Sequence, residues 1–298
     1  MKHHSSRLGR KEGIAGLLLV TPQIIYFLVF FLLPLGICVY AGFTNWNILS
    51  PLRKFVGLRN FDKLFSDPKF WTACKNTLYY LIPIPFYLTF ALAFAYSCHK
   101  RILGEKVFRV LYYLPFISSI VALTLIWKWL FNAKYGLVNL FLGLFGIAGP
   151  DWLGDPVWTR RMIVIMISWK MIGIISIYYI AALKNVPSTY YEAAKIDGCP
   201  NLVFIVRILI PLTKSAIGAM AVYTFINAYN MYMWPLLVTG TEEMRTVQIG
   251  ISMLNSVDSQ SITMVIAGVV MVILPSLFVF ILGQKQLIRG MFSGAVKG

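Results

Sequence analysis

Polar side chains inside one long apolar run are the first candidates for chemistry. Tyr223, Asn227, Asn230 and Trp234 recur at three- and four-residue spacing, which places them on one broad face of a helix. Amide groups can hydrogen-bond the hydroxyls of a sugar, and aromatic rings can stack on its apolar faces. Interhelical hydrogen bonds beside an aromatic interface belt would use the same residue types. The sequence leaves both interpretations open.

A second polar position lies in another apolar run, where Lys170 follows Ser168. This stretch is roughly eight residues past Arg161, or ~12 Å at 1.5 Å per residue. An ammonium group at that depth costs on the order of 2.5–3.5 kcal/mol unless it faces a cavity or a partner. Snorkelling to the membrane surface, or a structural contact with a neighbouring subunit, would explain the lysine. The alternative is that Lys170 and Ser168 line a solute path.

The most ordered polar segment between apolar runs extends from Thr189 to Pro211. Thr189 and Glu192 have capping-box spacing, and Gly198 is well placed to end a helix in the left-handed conformation. Pro200 can then open another helix, because proline is accepted at the first helical position. The pattern predicts a helix, a glycine corner and a second helix.

No catalytic arrangement is visible in the chain. The few acidic residues lie in loops, no histidine lies in an apolar run, and no phosphate-binding glycine loop occurs. The four cysteines form no CxxC pair. We therefore expect no catalytic residue, no metal site and no cofactor bound by this chain. If ATP drives the protein, the ATPase must be a separate subunit.

Composition indicates an integral membrane protein. Hydrophobic residues make up 58% of the chain, charged residues make up 13%, and the mean hydropathy is +0.73. Soluble domains have roughly 25% charged residues. The net charge of +16 comes from Lys and Arg scattered between apolar runs. That pattern suits the flanks of membrane spans and argues against nucleic-acid binding.

The apolar runs predict an all-α protein with six transmembrane helices, since about 20 apolar residues cross a bilayer. The expected spans are residues 14–43, 72–98, 110–131, 162–183, 215–239 and 262–283. Prolines are expected to interrupt five of them, at positions Pro22, Pro34, Pro83, Pro85, Pro115, Pro235 and Pro275.

The Lys and Arg bias favours both termini in the cytoplasm. Residues 1–13 and 284–298 are then cytoplasmic tails, and residues 44–71 are an extracytoplasmic loop. The remaining membrane domain covers residues 72–283, and its polar segment at 184–214 faces the cytoplasm. The expected location is the cytoplasmic membrane of a bacterium.

One spaced motif resembles a known family. Glu192-Ala193-Ala194, three residues, Gly198, nine residues, then Ile208-Leu209-Ile210-Pro211 resembles the EAA loop of binding-protein-dependent ABC importer permeases. Further segments resemble the carbohydrate branch of these permeases, the maltose and glycerol-3-phosphate type. Those like the first permease of a pair are 55–61, 76–77, 127–132 and 151–154, and those like the second are 229–236 and 294–298.

The resemblance implies a type I importer permease fold, with the type-1 transmembrane domain at 72–283. It implies that Glu192, Ala193, Ala194, Asp197, Gly198 and Pro211 form a coupling loop that docks into a cytoplasmic ATPase dimer holding ATP and magnesium. It further implies a second permease subunit, in a heterodimer, and an extracytoplasmic solute-binding protein. The expected activity is alternating-access import of a sugar or oligosaccharide.

Three other interpretations remain as alternatives. The same class of importer could carry glycerol-3-phosphate or another anionic solute, in which case Lys170 and the basic outer loops would matter more. A secondary transporter needs intramembrane carboxylates or two inverted halves, and neither is visible. A membrane scaffold without transport activity would not need the coupling loop.

Overall fold

The computed structural model describes residues 3–46, 54–99, 105–254 and 262–292. In these ranges the chain is helical apart from turns, loops and one isolated bridge between Thr44 and Phe55. The α-helices, in chain order, are α1 (His3–Phe27), α2 (Leu33–Gly42), α3 (Arg59–Phe65), α4 (Pro68–Tyr79), α5 (Ile84–His99), α6 (Glu105–Ile117), α7 (Ile120–Leu130), α8 (Leu137–Leu144), α9 (Pro156–Lys184), α10 (Ser188–Ile196), α11 (Asn201–Phe204), α12 (Ile210–Leu212), α13 (Lys214–Tyr229), α14 (Met233–Val238), α15 (Val247–Leu254) and α16 (Ile262–Phe292). Residues 294–298, which carry part of the family resemblance, lie outside the described residues, as does the end of the predicted tail 284–298.

Within the described ranges, four stretches are long and apolar enough to cross a membrane without a sharp bend, although residues 80–83 form a turn inside the second of them. They are Glu12–Gly42, Pro68–Cys98, Pro156–Lys184 and Ile262–Gly290. The other two predicted spans, 110–131 and 215–239, each belong to a bent pair, with angles of 107° between α6 and α7 and 80° between Asn201–Leu212 and Lys214–Val238. The prediction of an all-α membrane protein is confirmed, and two of its six spans differ in shape.

The prolines break the helices less uniformly than the sequence predicts. The prediction is wrong for Pro22 and Pro275, because α1 and α16 continue through them, and for Pro115, because α6 continues to Ile117. The bend after α6 instead falls at Ser118, whose hydroxyl donates to Leu114 O over 2.7 Å, and at Ser119, whose backbone is extended. A π-helical turn at Leu28–Leu32 precedes α2. Satisfying freed carbonyls locally lets a membrane helix absorb a proline.

The chain divides into two compact units, and the smaller comprises Met1–Asp67 with Met253–Met271. In this unit the buried side chain of Asn60 ties α3 to the end of α2. Its amide nitrogen donates to Gly42 O and to Thr44 O, each over 2.8 Å. The carbonyls at a helix C-terminus lack intrahelical partners, and the amide of Asn60 supplies a donor to two carbonyls at and just after the end of α2.

The larger unit, Pro68–Ser252 with Val272–Gly298, is built around α9. This helix packs against α5, α6, α13 and α14, and 61% of its apolar window is buried. One core cluster centres on Tyr87, Ile175 and Leu183, and a second centres on Ile163 and Met166. A helix apolar on every side is expected at the centre of a bundle.

A buried amide clamps the segment between α14 and α15 to α4 in the same unit. Asn76 is 2% exposed, and its amide nitrogen donates to Glu243 O over 2.7 Å and to Arg245 O over 3.0 Å. Its carbonyl oxygen accepts from Arg160 Nη1 over 3.3 Å. Asn76 therefore holds an irregular segment whose carbonyls have no partner in a regular helix.

We expect Asn76→Ala to loosen this segment without unfolding the bundle. The substitution removes the donor for two carbonyls, and each buried polar group left unpaired costs about 1–3 kcal/mol. Hydrogen–deuterium exchange of the 243–247 backbone amides should then accelerate roughly tenfold or more. Thr72→Ala, one turn earlier on α4, is the control, because the Thr72 hydroxyl bonds only its own helix at Pro68 O. Unchanged exchange in Asn76→Ala would show that other contacts hold the segment.

Candidate functional site

Five of the six predicted solute-path residues line one cavity in the larger unit. The cavity has a volume of about 340 Å³ and contains Lys170, Tyr223, Asn227, Asn230 and Trp234. This volume falls at the lower end of the range typical of small-molecule sites. The remaining lining residues, which the sequence analysis did not single out, are Phe116, Ile120, Ile167, Met171, Ala228, Met231, Tyr232 and Met233.

A break in the fifth predicted span forms one wall of this cavity. Helix α13 ends at Tyr229, α14 begins at Met233, and the residues between them are irregular. Asn230 and Tyr232, the first and last residues of this break, both line the cavity. Irregular backbone at membrane depth is tolerated where it lines a cavity, and interrupted helices often form solute sites in transporters.

The two asparagines have different hydrogen-bond environments. The amide nitrogen of Asn227 donates to Tyr223 O over 2.8 Å, and that of Asn230 donates to Ile226 O over 3.0 Å. The carbonyl oxygen of Asn230 also accepts from Gln248 Nε2 over 2.8 Å. Asn227 therefore bonds within its own helix, whereas Asn230 also connects α13 to α15 and, because its amide nitrogen donates to Ser276 Oγ over 3.4 Å, to α16.

Ser168 lies apart from this cavity. It is buried and lines an apolar groove of about 470 Å³ together with Pro83, Phe86 and Trp169. Residues two positions apart on a helix are separated by about 200° around the helix axis, so Ser168 and Lys170 cannot share one narrow face. The structure thus separates this residue from the other five candidates.

The glycine corner in the 184–214 segment, which we call the EAA loop, forms as predicted. Gly198 has φ of +61°, and it follows Asp197, the residue that caps helix α10 after Ile196. Cys199 N donates to Ala194 O over 2.8 Å, and Gly198 N donates to Lys195 O over 3.3 Å. These two bonds define a Schellman motif, which needs a left-handed residue at the position of Gly198.

The predicted capping box in this loop is wrong. Helix α10 begins at Ser188 after Pro187, and no side chain caps it. Thr189 is therefore already inside the helix, and Glu192 lies a full turn further along on the exposed surface. Pro187 explains the early start, because a fixed φ near −65° is compatible with helix initiation.

One face of the EAA loop is anchored to the membrane helices. Ala194 and Cys199 pack against the core cluster around Leu183. The ring of Tyr191 lies 5.2 Å from the ring of Phe204, which is itself buried. Burial raises the pKa of the Tyr191 hydroxyl, and its neighbour Tyr96 adds to the shift, so the phenol stays neutral near pH 7.

The opposite face of the loop is exposed and carries most of the motif. Glu192, Ala193, Asp197 and Gly198 are exposed, as is Pro211 further along. Ile196 is 85% exposed, although it is a large apolar residue. A pocket of about 930 Å³, lined in part by Lys184, Glu192 and Lys195, lies beside this face. Small and apolar side chains on an exposed surface are typical of a docking site.

No metal-binding arrangement is found in the described part of the chain, where no three His, Cys, Asp or Glu side chains come together.

The chain is similar to known transport proteins over most of its length. The family model of the binding-protein-dependent transport system inner membrane component matches residues 87–289. The lactose transport system permease protein LacF of Rhizobium radiobacter is 36% identical over 217 residues, which cover 71% of this chain and 72% of LacF.

Two solved structures have the same fold. One is a bacterial alginate ABC transporter in complex with a periplasmic protein bound to an alginate pentasaccharide, with a TM-score of 0.77 at 23% identity over 96% of this chain and 99% of that one. The other is a bacterial ABC transporter involved in the import of the acidic polysaccharide alginate, with a TM-score of 0.76 at 24% identity over 96% and 98%. The chain therefore belongs to the binding-protein-dependent transport system inner membrane components, the multi-pass permease subunits of ATP-driven ABC importers.

Proposed function

We propose that this permease carries a sugar or an oligosaccharide inward across the cytoplasmic membrane of a bacterium. The observation that carries the proposal is the cavity in which amides, aromatic rings and a broken helix come together. Asn227 and Asn230 offer donors and acceptors to hydroxyl groups, and the partly buried Tyr223 offers a ring face to the apolar side of a sugar, while Trp234, which is 4% exposed, is a packed part of the wall. The named lactose permease is consistent with this class of solute.

Coupling to ATP hydrolysis is proposed to pass through the EAA loop. Its anchored face is fixed to the membrane core, and its exposed face with Ala193 and Ile196 is free to enter a cleft on a separate ATPase dimer. The Schellman corner makes the loop a stiff lever. Closure of the ATPase dimer would then rotate the helices and switch the cavity between its two access states.

The remaining subunits follow from the same proposal. A second permease completes the pathway as a heterodimer, and an extracytoplasmic binding protein delivers the solute. Both termini and the EAA loop face the cytoplasm, in agreement with the distribution of Lys and Arg. ATP and magnesium bind the ATPase subunits, so this chain contributes no catalytic residue.

Uptake into proteoliposomes that contain the assembled importer tests the proposal. Sugar should accumulate only when ATP is present on the side of the ATPase and the binding protein is present on the other side. Uptake that continues without ATP under an ion gradient would contradict the importer mechanism. A panel of sugars, polyols and amino acids would contradict the solute class if only a compound other than a sugar accumulated.

We expect Asn230→Ala to raise the half-saturation concentration for uptake roughly threefold to tenfold. An uncharged hydrogen bond contributes about 0.5–1.5 kcal/mol, and the loss falls on the bound solute. Gln248→Ala and Ser276→Ala are the matched controls, because they remove the bonds of Asn230 to α15 and to α16 but leave the asparagine in place. An equal defect in Asn230→Ala and in either control would show that Asn230 acts by holding the neighbouring helix and not by binding solute.

A further inference from the structure

Lys170 is a positive charge in the middle of a membrane helix. It lies fourteen residues from each end of α9, which spans Pro156–Lys184, and this corresponds to about 21 Å in either direction. Arg161, the nearest basic residue on the same helix, lies nine residues away, which is about 13.5 Å and longer than an extended lysine side chain. Snorkelling therefore brings the ammonium group only part of the way to the charged flank of the span.

The charge has no counter-ion in the described part of the chain. No described carboxylate is close enough to Lys170 to form an ion pair, and no Asp or Glu lines the cavity that it enters. The lining is otherwise neutral, with amides, aromatic rings and aliphatic side chains. Placing an ammonium group at this depth is unfavourable, and an anion in the cavity would offset that cost.

We propose that Lys170 selects a sugar that carries an acid group, such as a carboxylate, a phosphate or a sulfonate. The inference rests on the proposed function, because it assigns the solute class of the same cavity. The ammonium group binds the anion, Asn227 and Asn230 bind the hydroxyls, and Tyr223 contacts a ring face. A sugar with one acid group thus satisfies each type of lining group at once.

The size of the expected effect follows from the strength of a charged hydrogen bond. Bonds to charged groups contribute about 0.5–2 kcal/mol more than bonds between neutral groups. Because glutamine keeps a neutral donor, Lys170→Gln should reduce the preference for the acid-bearing sugar roughly twofold to thirtyfold. Lys170→Arg keeps the charge and should keep most of the preference.

The experiment uses matched pairs of sugars in the assembled importer. Neutral mono- and disaccharides are compared with the uronic acids and the 6-phosphates of the same sugars. Each compound is tested in ATP-driven uptake, both as the transported solute and as a competitor. The measured quantity is the ratio of acid to neutral uptake in the wild type, Lys170→Gln and Lys170→Arg. Lys128→Gln, which removes an exposed charge from the last turn of α7, is the control.

The inference is supported if the wild type takes up the acid-bearing sugar in preference to the neutral one and if this preference is lost in Lys170→Gln. Lys170→Arg and the control Lys128→Gln should keep the preference. The acid-bearing sugar that is preferred then identifies the acid group. Uptake of the neutral members alone overturns the inference and leaves the sugar importer intact. Absence of uptake of every member overturns both. If Lys170→Gln instead reduces co-purification of the second permease, the lysine pairs with that subunit and the inference is wrong.

Discussion

ATP-driven uptake is expected to fall more than tenfold in Gly198→Val, while the permease still reaches the membrane. Gly198 has φ of +61°, which a β-branched residue adopts only under strain. A β-carbon there would meet no atom within 4 Å, so the substitution acts on the backbone alone. Relief of the strain breaks the Schellman bonds and redirects α10 relative to α11, which displaces the surface around Ala193.

Two controls separate this geometric effect from general damage. Gly198→Asn should retain most activity, because asparagine tolerates the left-handed conformation better than other residues. Gly57→Val carries the same strain at φ of +61°, also in open space, but outside the EAA loop, and should retain uptake. The measurements are ATP-dependent uptake and co-purification of the ATPase. Full uptake in Gly198→Val would show that the corner does not transmit the coupling.

In the EAA loop, the backbone conformation could be predicted from the sequence where a single residue determines it. Gly198 ends a helix because of its own backbone freedom, and nothing distant is needed to infer it. The start of α10 was mispredicted because two signals compete within three residues. The Thr189–Glu192 spacing favours a cap, whereas Pro187 initiates the helix earlier, and the proline prevails.

In the candidate site, the sequence predicts which residues of one segment lie together but not which residues of other helices join them. Spacing within one segment places Asn227 and Asn230 on a common face, and the structure brings them into one cavity. Phe116 and Gln248 could not be found this way, because they reach the site from α6 and from α15 through packing. No periodicity within a segment encodes such a contact, since it depends on how the helices bend and cross.

Close helix crossings were also invisible in the sequence. A β-carbon at Gly283 would collide with the side chain of Val222, and one at Gly290 would lie 2.8 Å from the β-carbon of Ala219. These glycines let α16 approach α13 within the larger unit, in the manner of small residues in other membrane helix pairs. Glycine in a membrane span is too common to identify a crossing before the packing partner is known.

The closest crossing leads to the second large expected effect, a loss of thermal stability in Gly173→Ala. Gly173 lies on α9, and a β-carbon there would collide with the backbone carbonyl oxygen of Tyr112 on α6. A backbone atom cannot rotate away as a side chain can, so α6 must shift as a whole. Overpacking of this kind costs about 1–3 kcal/mol, and each kcal/mol lowers Tm by roughly 2–4 °C in a chain of this size.

The shift of α6 should also reach the cavity, because Phe116 near the end of α6 is one of its walls. Gly173→Ala should therefore lower both the apparent Tm of the purified importer and its uptake rate. Gly143→Ala is the matched control, since Gly143 lies in α8 with no atom within 4 Å of a built β-carbon, and alanine favours a helix by up to ~1 kcal/mol. If both variants keep the wild-type Tm and uptake, α6 and α9 are free to separate, and the wall formed by Phe116 is not rigid. If Tm falls but uptake does not, the cavity tolerates movement of α6, and the rate of uptake does not depend on the exact position of Phe116.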